Sequence, residues 1–362
     1  MNALKAEIVR LIQDEGPLPV SRYMALALGH PRHGYYMTRD PFGREGDFTT
    51  APEISQMFGE LLGLWAAHLW QAMGAPSRFR LVELGPGRGT LLADVLRATR
   101  IVPGFHGALS VHLVETSPVL RARQAETLSG AGAVWHDTVV SVLDGPAIVL
   151  ANEFLDALPL DQFVMTAEGW CERLVGLGED GELAFGLAPT GDGVKARAPV
   201  GTVLEQPSAA LDVVAGIARH LSREGGGAAF IDYGPIRSGF GDTLQAMRRH
   251  AFVDPLAEPG EADLTVHVDF ERMGQAGLRA GAALHGPATQ RDFLLALGLA
   301  QRAQILSRSA DAAQRKAIFE AFDRLIEPGE AGMGDLFKVM ALSHPALPPL
   351  PGFDLHRVPE QV

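Results

Sequence analysis

The sequence predicts an α/β fold, a doubly wound and mostly parallel Rossmann-like sheet with helices on both faces. Short apolar runs alternate with helical stretches from residue 79 onward, as in βαβ units. The run at 147–151 is wholly apolar, which is typical of a strand buried on both faces. The run at 80–84 leads directly into a glycine-rich turn and then into an amphipathic stretch, as at a ligand-binding strand end.

Residues 1–76 are predicted to form a helical N-terminal cap. Apolar residues at helical spacing mark a first helix that ends at Gly16. Ser21 is predicted to be the N-cap of a second helix, and Pro52 is predicted to begin a third.

Residues 77–345 are predicted to form the sheet domain, with strands at 80–84, 110–115, 147–151, 228–232 and 336–341. Glycine-containing turns between short runs predict β-hairpins in an insertion at about 163–204. A second insertion, at about 235–290, is rich in loop residues over its first part. Residues 346–362 are predicted to be an extended tail.

Composition and charge argue against several classes of protein. The 362 residues are 47% hydrophobic and 20% charged, as in ordinary globular proteins. A net charge of −12 argues against nucleic-acid binding and favours a basic protein partner. With the single cysteine Cys171, no apolar leader and no apolar run long enough to span a membrane, a cytoplasmic location and no membrane insertion are expected. No set of residues with metal-ligand spacing stands out.

The glycine-rich turn predicts a cofactor. It contains Gly85, Gly87 and Gly89, but position 90 is threonine, whereas a dinucleotide fingerprint has its third glycine there. Glu83 precedes the turn, where a pyrophosphate would be repelled and a cationic group would be held. This pattern favours S-adenosyl-L-methionine, whose methionine part carries an ammonium group. A strand-to-helix turn that binds nothing is the alternative.

Residues near the next strand ends extend the predicted cofactor site. Glu115 ends the second strand, where a carboxylate can accept both hydroxyls of a ribose, although a solvated surface acid is the alternative. Asp137 is predicted to accept from an adenine amino group. Trp135 either packs on the base or belongs to the core. Asn152, at the end of the third strand, is placed with the cofactor residues.

Four residues are candidates for the chemistry. Glu153 and Asp156 are spaced i, i+3 and would share one face of a helical turn, where they could hold a cationic acceptor. The alternative is that both acids stabilise a helix N-terminus. Asp232 ends the fourth strand, and His267 follows the second insertion, as a general base or as an ordinary surface or core histidine.

Several stretches together resemble the MidA family of class I S-adenosylmethionine-dependent methyltransferases. They are His33-Gly-Tyr-Tyr36, Gly46-Asp-Phe-Thr-Thr-Ala-Pro-Glu-Ile-Ser-Gln56, Glu83-Leu-Gly-Pro-Gly-Arg-Gly-Thr90, Ala151-Asn-Glu-Phe-Leu-Asp-Ala-Leu-Pro159, Ile231-Asp-Tyr-Gly234 and Asp263-Leu-Thr-Val-His-Val-Asp269. The resemblance covers residues 20–342 and implies a seven-stranded methyltransferase fold. It also implies methyl transfer to a protein arginine and, in the eukaryotic members of the family, symmetric dimethylation of a core subunit of respiratory complex I. Because no mitochondrial presequence is evident, a bacterial member is expected.

That chemistry needs carboxylates, because an arginine guanidinium is protonated and presents several N–H donors. We assign this clamp to Glu153 and Asp156, with help from Asp232 or His267. The 46–56 segment is expected to close over the cofactor, with Glu53 as a further carboxylate.

Three other functions stay open at this point. They are a small-molecule O- or N-methyltransferase with His267 as base, an assembly chaperone that binds S-adenosylmethionine without catalysis, and, more remotely, a nicotinamide oxidoreductase.

Overall fold

The computed structural model describes residues 2–41, 43, 49–190, 194–329 and 331–353. Helices α1 to α15 are Ala3–Glu15, Val20–Gly29, Tyr35–Thr38, Ala51–Ile54, Gln56–Ala72, Thr90–Ala98, Phe105–Ala108, Pro118–Thr127, Val139–Val142, Ser208–Glu224, Phe270–Arg279, Gln290–Ala296, Leu299–Ser307, Ala312–Leu325 and Met333–Leu336. Strands β1 to β15 are Leu18–Pro19, Phe79–Leu84, Leu109–Val114, Val134–His136, Ala147–Asn152, Asp161–Thr166, Gly169–Leu177, Leu183–Pro189, Val203–Gln206, Gly226–Tyr233, Gln245–Arg248, Ala251–Val253, Asp263–Thr265, Ala283–Thr289 and Phe337–Ser343.

Within the described ranges the strands form three sheets. The central sheet has seven strands in the order β4-β3-β2-β5-β10-β15-β14, with β15 antiparallel to both of its neighbours and the other pairs parallel. The hairpin sheet is antiparallel, in the order β9-β6-β7-β1 with β8 also paired to β7. The small sheet consists of β12, β11 and β13. The predicted α/β fold is confirmed.

The strand order of the central sheet reverses at β2. The chain runs outward from β2 to β3 and β4, then returns to β5 on the other side of β2. Leu84 is in register with Val114 of β3 and with Ala151 of β5, so these three strands end at the same edge. A parallel sheet binds ligands at such an edge, because the loops that follow the strands diverge there and leave a crevice.

Helices cover both faces of the central sheet. The apolar stripe of α10, formed by Val214, Ile217 and Leu221, packs on one face. On the other face α5 packs closely against α6. Glycines permit this approach, since a Cβ at Gly59 would lie 2.6 Å from the Cβ of Asp94. The sheet is therefore buried on both sides, as its apolar strands require.

The helices of residues 1–76 do not pack together as one unit. Helix α5 belongs to the same core as the central sheet. Helices α1 and α2 instead pack with the hairpin and small sheets, where Leu4 and Tyr23 join Val175 and Leu264. The N-terminal segment thus connects the central sheet to both insertions.

Local predictions differ from the structure at several points. The second helix begins at Val20 rather than after Ser21, with Pro19 as its N-cap. The third is interrupted at Ser55, whose side chain caps α5 by accepting from the N–H of Met57. Neither β4 nor β14 was predicted as a strand. No helix in the described part of the chain is long and apolar enough to cross a membrane.

Candidate active site

A cavity of about 730 Å³ opens where β2, β3, β5 and β10 end. Its lining includes the glycine turn and Glu115, and also Glu153, Asp156 and Asp263. Its volume lies within the usual range for sites that bind cofactor-sized molecules. We call the glycine turn, Glu83, Glu115 and Asn152 the cofactor side, and Glu153, Asp156 and Asp263, together with Tyr36 and Tyr233, the carboxylate pocket.

The glycine turn has a backbone that other residues adopt poorly. Gly85, Gly87 and Gly89 have φ of 60°, 53° and 81°. Space is also limited, because a Cβ at Gly85 would lie 3.0 Å from Cδ2 of Phe154. The turn therefore presents bare backbone to the cavity and leads into α6 at Thr90.

Two buried polar atoms at the strand ends lack partners in the described part of the protein. Glu83 accepts from the backbone N–H of Leu92, but its Oε2 has no partner, and burial raises its pKa well above the ordinary value. Oδ1 of Asn152 is also unpaired. A ligand with an ammonium group would satisfy these oxygens, since buried polar atoms are otherwise almost always paired. The residues thus fit the amino-acid end of S-adenosylmethionine.

Glu115 is fixed in a network that includes the glycine turn. Its carboxylate accepts from the N–H of Ser117 at 2.8 Å and from Nε2 of Gln124 at 3.2 Å. Gln124 also donates to the carbonyl of Gly87 at 2.7 Å and accepts from Trp135 at 2.8 Å. Burial raises the pKa of Glu115. The buried, oriented carboxylate suits a ribose diol.

Asp137 and Trp135 differ from each other in environment. Asp137 lies at the cavity rim, with its side chain 80% exposed and ion-paired to Arg121 at 2.6 Å. Trp135 packs against the core and is not among the residues that line the cavity, as the core alternative expects.

Glu53 also lines the cavity, where it accepts a hydrogen bond from the Thr90 hydroxyl at 2.5 Å. Of the 46–56 segment, Thr50, Pro52 and Glu53 line the cavity. Its residues 46–48 fall outside the described residues.

Glu153 occupies a strained backbone position. Its φ is +51°, and residues 153–158 form bends and turns rather than a helix, so the predicted helical i, i+3 face is wrong. Its carboxylate accepts from Asn152 at 3.0 Å and from the backbone of Ala51. Burial, and then the neighbouring Asp156, raise its pKa to about 8. Such strain in a non-glycine residue is concentrated at functional sites.

Asp156 completes the acidic pair. It is buried, its Oδ1 has no partner in the described ranges, and burial raises its pKa to about 6 although the Tyr233 hydroxyl bonds to it. Neither Asp156 nor Glu153 forms an ion pair with a described side chain. Two buried acids without a counter-ion are costly unless a cationic ligand joins them.

Sequence reasoning did not assign site roles to Tyr36, Tyr233 and Asp263. The hydroxyl of Tyr36 donates to Oδ1 of Asp263 at 2.8 Å, and both side chains line the carboxylate pocket. These residues come from α3, β10 and β13. The only sequence signal was their position inside stretches that carry the family resemblance.

Asp232 and His267, the other two candidates for the chemistry, lie in different places: Asp232 is not among the residues that line the cavity, and His267 is. Asp232 is buried outside the cavity lining, and its carboxylate accepts backbone N–H groups, so we interpret it as a positioning residue. His267 lines the cavity with its ring 5.5 Å from that of Tyr233, edge to face. Burial lowers its pKa, and no hydrogen bond of its ring is found among the described residues.

The reversed strand order, the glycine turn after β2 and the acids at the ends of β2 and β3 define an S-adenosylmethionine-dependent methyltransferase. Residues 61–288, more than half of the chain, match a family described as "Putative S-adenosyl-L-methionine-dependent methyltransferase". The chain belongs to this family and is an enzyme that uses S-adenosylmethionine.

Two relatives are similar over most of their length. The "Protein arginine methyltransferase NDUFAF7 homolog, mitochondrial" of Drosophila melanogaster is 37% identical, covering 94% of this chain and 84% of that protein. The human "Protein arginine methyltransferase NDUFAF7, mitochondrial" is 35% identical, covering 91% and 81%. Both are named as mitochondrial proteins, which contradicts the expectation of a cytoplasmic location.

A crystal structure supports the cofactor side of the site. A protein of Burkholderia thailandensis bound to S-adenosyl-homocysteine superimposes with a TM-score of 0.84 at 33% identity, covering 97% of this chain and 94% of that one. S-adenosyl-homocysteine is the product that remains after methyl transfer.

Proposed function

We propose that this enzyme transfers methyl groups to a guanidinium nitrogen of arginine in a protein substrate. One observation carries the proposal: Glu153 and Asp156 lie buried beside the cofactor side of the cavity with raised pKa values and no cationic partner among the described residues. A guanidinium supplies the missing charge. The relatives named as protein arginine methyltransferases support the same acceptor.

The chain's own residues would act by positioning. S-adenosylmethionine supplies the methyl group on its sulfonium sulfur. Two carboxylates can each accept from a guanidinium nitrogen, which leaves the third nitrogen free to be aimed at the methyl carbon. Alignment at about 3–3.5 Å accounts for much of the rate enhancement in such transfers.

Proton release also has a candidate acceptor. One proton leaves the guanidinium for each methyl group added, because methylarginine is again a monocation. Glu153 is suited to accept it, because it would hold the guanidinium as a carboxylate and burial, which raises its pKa to about 8, favours its protonation once the methyl group has been transferred. His267, neutral because burial lowers its pKa, lies at the same cavity.

The substrate's finer identity follows from the family resemblance alone. It implies a core subunit of respiratory complex I and symmetric dimethylation, and we propose both for this chain. A net charge of −12 favours association with a basic protein surface.

The decisive experiment uses tritiated S-adenosylmethionine and lysate from cells that lack the enzyme. We expect tritium in protein, recovered as methylarginine after acid hydrolysis. Glu153→Gln and Asp156→Asn should each lower the rate by at least about 100-fold, in line with the loss of an oriented charged group. Asp144→Asn is the control, because Asp144 is 80% exposed and pairs with Arg80 away from the cavity.

Other outcomes would contradict the proposal in distinct ways. Tritium confined to the small-molecule fraction would identify a small-molecule methyltransferase. Full biological activity of Glu153→Gln, together with intact cofactor binding, would indicate an assembly chaperone.

A further inference from the structure

One face of the small sheet forms part of the wall of the cavity. Five residues of this sheet line it, namely Gln245, Met247, Phe252, Asp263 and Thr265. Successive side chains of a strand point to opposite faces of a sheet. The alternate residues Ala246 and Leu264 accordingly lie in the core that the sheet shares with α1 and α2. The small sheet therefore has one core face and one cavity face.

The register of the small sheet forms a row of side chains on the cavity face. Met247 of β11 is paired with Asp263 of β13 on one side and with Phe252 of β12 on the other. Neighbouring strands are about 4.8 Å apart, so Phe252 lies about 10 Å from Asp263 across the sheet. Asp263 is buried in the carboxylate pocket, Met247 is half-buried and Phe252 is 70% exposed. The row thus leads from the carboxylate pocket to solvent.

Strand β12 is apolar and exposed although it lies at the edge of its sheet. Its three residues, Ala251, Phe252 and Val253, are all exposed, and among the described strands β12 pairs with β11 alone. Folded proteins usually protect such edges with charge, proline or a covering segment, because exposed apolar strands aggregate. One exposed phenylalanine is ordinary by itself. This one also lines the active-site cavity, where it can contact a molecule that enters.

The charged residues of the same hairpin lie off this row. Arg248 follows Met247 along β11, so its side chain belongs to the opposite face, and it forms an ion pair with Glu258. Arg249 and His250 form the turn between β11 and β12. The outer part of the row is therefore apolar, since it consists of Met247 and Phe252.

We propose that Met247 and Phe252 bind an apolar side chain of the substrate protein, aliphatic or aromatic, within about three residues of the acceptor arginine. This inference rests on the proposed function and deepens it, because it assigns a sequence preference to the same enzyme. The arginine enters the carboxylate pocket beside Asp263. The apolar side chain covers the exposed phenyl ring at the other end of the row.

The geometry favours one short segment of substrate as the occupant. An extended chain advances about 3.3–3.6 Å per residue, so a span of about 10 Å corresponds to three residues. The row begins at the carboxylate pocket, whereas the cofactor side is built from the ends of strands in the central sheet. Neither Met247 nor Phe252 carries a hydrogen-bond donor, so the contact gains free energy from apolar burial.

The test uses arginine-centred peptides with leucine or serine at each position from −3 to +3. Methylation with tritiated S-adenosylmethionine gives kcat and KM for each peptide. At one position we expect the leucine peptide to have a KM about tenfold lower than its serine counterpart, the gain from burying roughly half of a leucine side chain. Phe252→Ser should remove most of this preference with little change in kcat, and Phe252→Leu should keep most of it.

Phe319→Ser is the matched control. Phe319 is also an exposed phenylalanine, but it lies on α14 and is not among the residues that line the cavity, so the preference should remain. Thermal melting of each variant checks that folding is retained.

Two further measurements exclude other occupants of the row. Phe252→Ser should bind S-adenosyl-homocysteine with wild-type affinity, and a clear loss would place the ring against the cofactor and overturn the inference. Sedimentation compares the oligomeric states of the wild type and Phe252→Ser. Dissociation of an oligomer by this substitution would show that a second copy covers β12, which also overturns it.

The remaining outcomes separate the two proposals. Equal KM values for all leucine and serine peptides, or a preference unchanged in Phe252→Ser, overturn the inference alone. If only intact lysate proteins are labelled, mass spectrometry locates the methylated arginine. The inference then fails if no apolar residue lies within three positions, or if Phe252→Ser labels limiting substrate as fast as the wild type. Absence of methylarginine from both lysate and peptides overturns the proposed function.

Discussion

One carboxylate oxygen of Asp232 accepts the backbone N–H of Asp156 at 3.2 Å and that of Leu155 at 3.0 Å. Its other oxygen accepts from the N–H of Tyr233 at 3.0 Å. Burial, followed by the nearby acids Asp156 and Glu153, raises the pKa of Asp232. Through these hydrogen bonds Asp232 fixes the backbone of the turn that carries Glu153 and Asp156, the two acids that line the cavity.

Asp232→Ala should lower the free energy of unfolding by about 2–4 kcal/mol, because buried N–H donors would lose their acceptor. The turn would shift, so kcat should fall while affinity for S-adenosyl-homocysteine changes little. Denaturant unfolding and calorimetry measure the two effects. Asp232→Asn retains one acceptor oxygen and should be intermediate. Normal stability of the alanine variant would contradict the positioning role.

Gly85→Val should abolish binding of S-adenosyl-homocysteine. The new Cβ would lie 3.0 Å from the Phe154 ring, and valine is strained at a φ of 60°. Gly89→Ala is the comparison, since its Cβ would lie 3.5 Å from Leu128, an ordinary contact, so only backbone strain of about 1–2 kcal/mol applies. Isothermal titration compares both variants. Normal affinity of Gly85→Val would refute the placement of the ligand at this turn.

The central strands could be predicted because each of them is buried on both faces. The wholly apolar run at 147–151 is buried, as are Leu81, Val82 and Leu84 of the run at 80–84, which is what a strand covered on both faces requires. The edge strands β4 and β14 were not predicted, because they are short or only partly buried and so lack a continuous apolar run. Val134–His136 has only three residues, and Ala283–Thr289 is mostly half-exposed and contains Gly286-Pro287, a pair usually found in turns.

The cofactor side of the site could also be predicted, because its residues lie within a few positions of the ends of strands that were themselves predicted from their apolar runs. The carboxylate pocket could be predicted only in part. Tyr36 and Asp263 are 227 positions apart and meet only because α2 and the small sheet pack together. Glu153 and Asp156 were identified on a wrong local structure, since no pattern signals a positive φ at a glutamate.

Glu115→Ala should weaken binding of S-adenosyl-homocysteine far more than Asp137→Ala. Glu115 is buried and oriented by Gln124 and Ser117, so its hydrogen bonds to a ribose would be worth about 1.5–3 kcal/mol. Asp137 is exposed and paired with Arg121, and we expect a loss below about 1 kcal/mol. Titration calorimetry on both variants gives the comparison. Equal losses would show that the ribose is not held by Glu115.

The raised pKa of Glu153 predicts how stability depends on pH. In the folded protein its pKa moves from 4.5 to about 8, so the folded state binds a proton that the unfolded state has released in this range. The free energy of unfolding should then fall as pH rises from about 5 to 8, with a slope of at most about 1.4 kcal/mol per pH unit from this group. Glu83 and Asp232, whose pKa values burial also raises, contribute in the same direction, so the share of Glu153 is the difference between the wild type and a variant that lacks its carboxyl.

Glu153→Gln removes this titration, so its unfolding free energy should change less with pH than that of the wild type between pH 6.5 and 8. Chemical denaturation at four pH values measures the difference, with Asp144→Asn as the control that keeps the wild-type slope. The variant should also be the more stable protein at pH 8, because it has no buried charge to accommodate there. Parallel pH profiles for wild type and Glu153→Gln would show that Glu153 is not held protonated by burial, and the argument for a cation-binding pocket would lose its electrostatic basis.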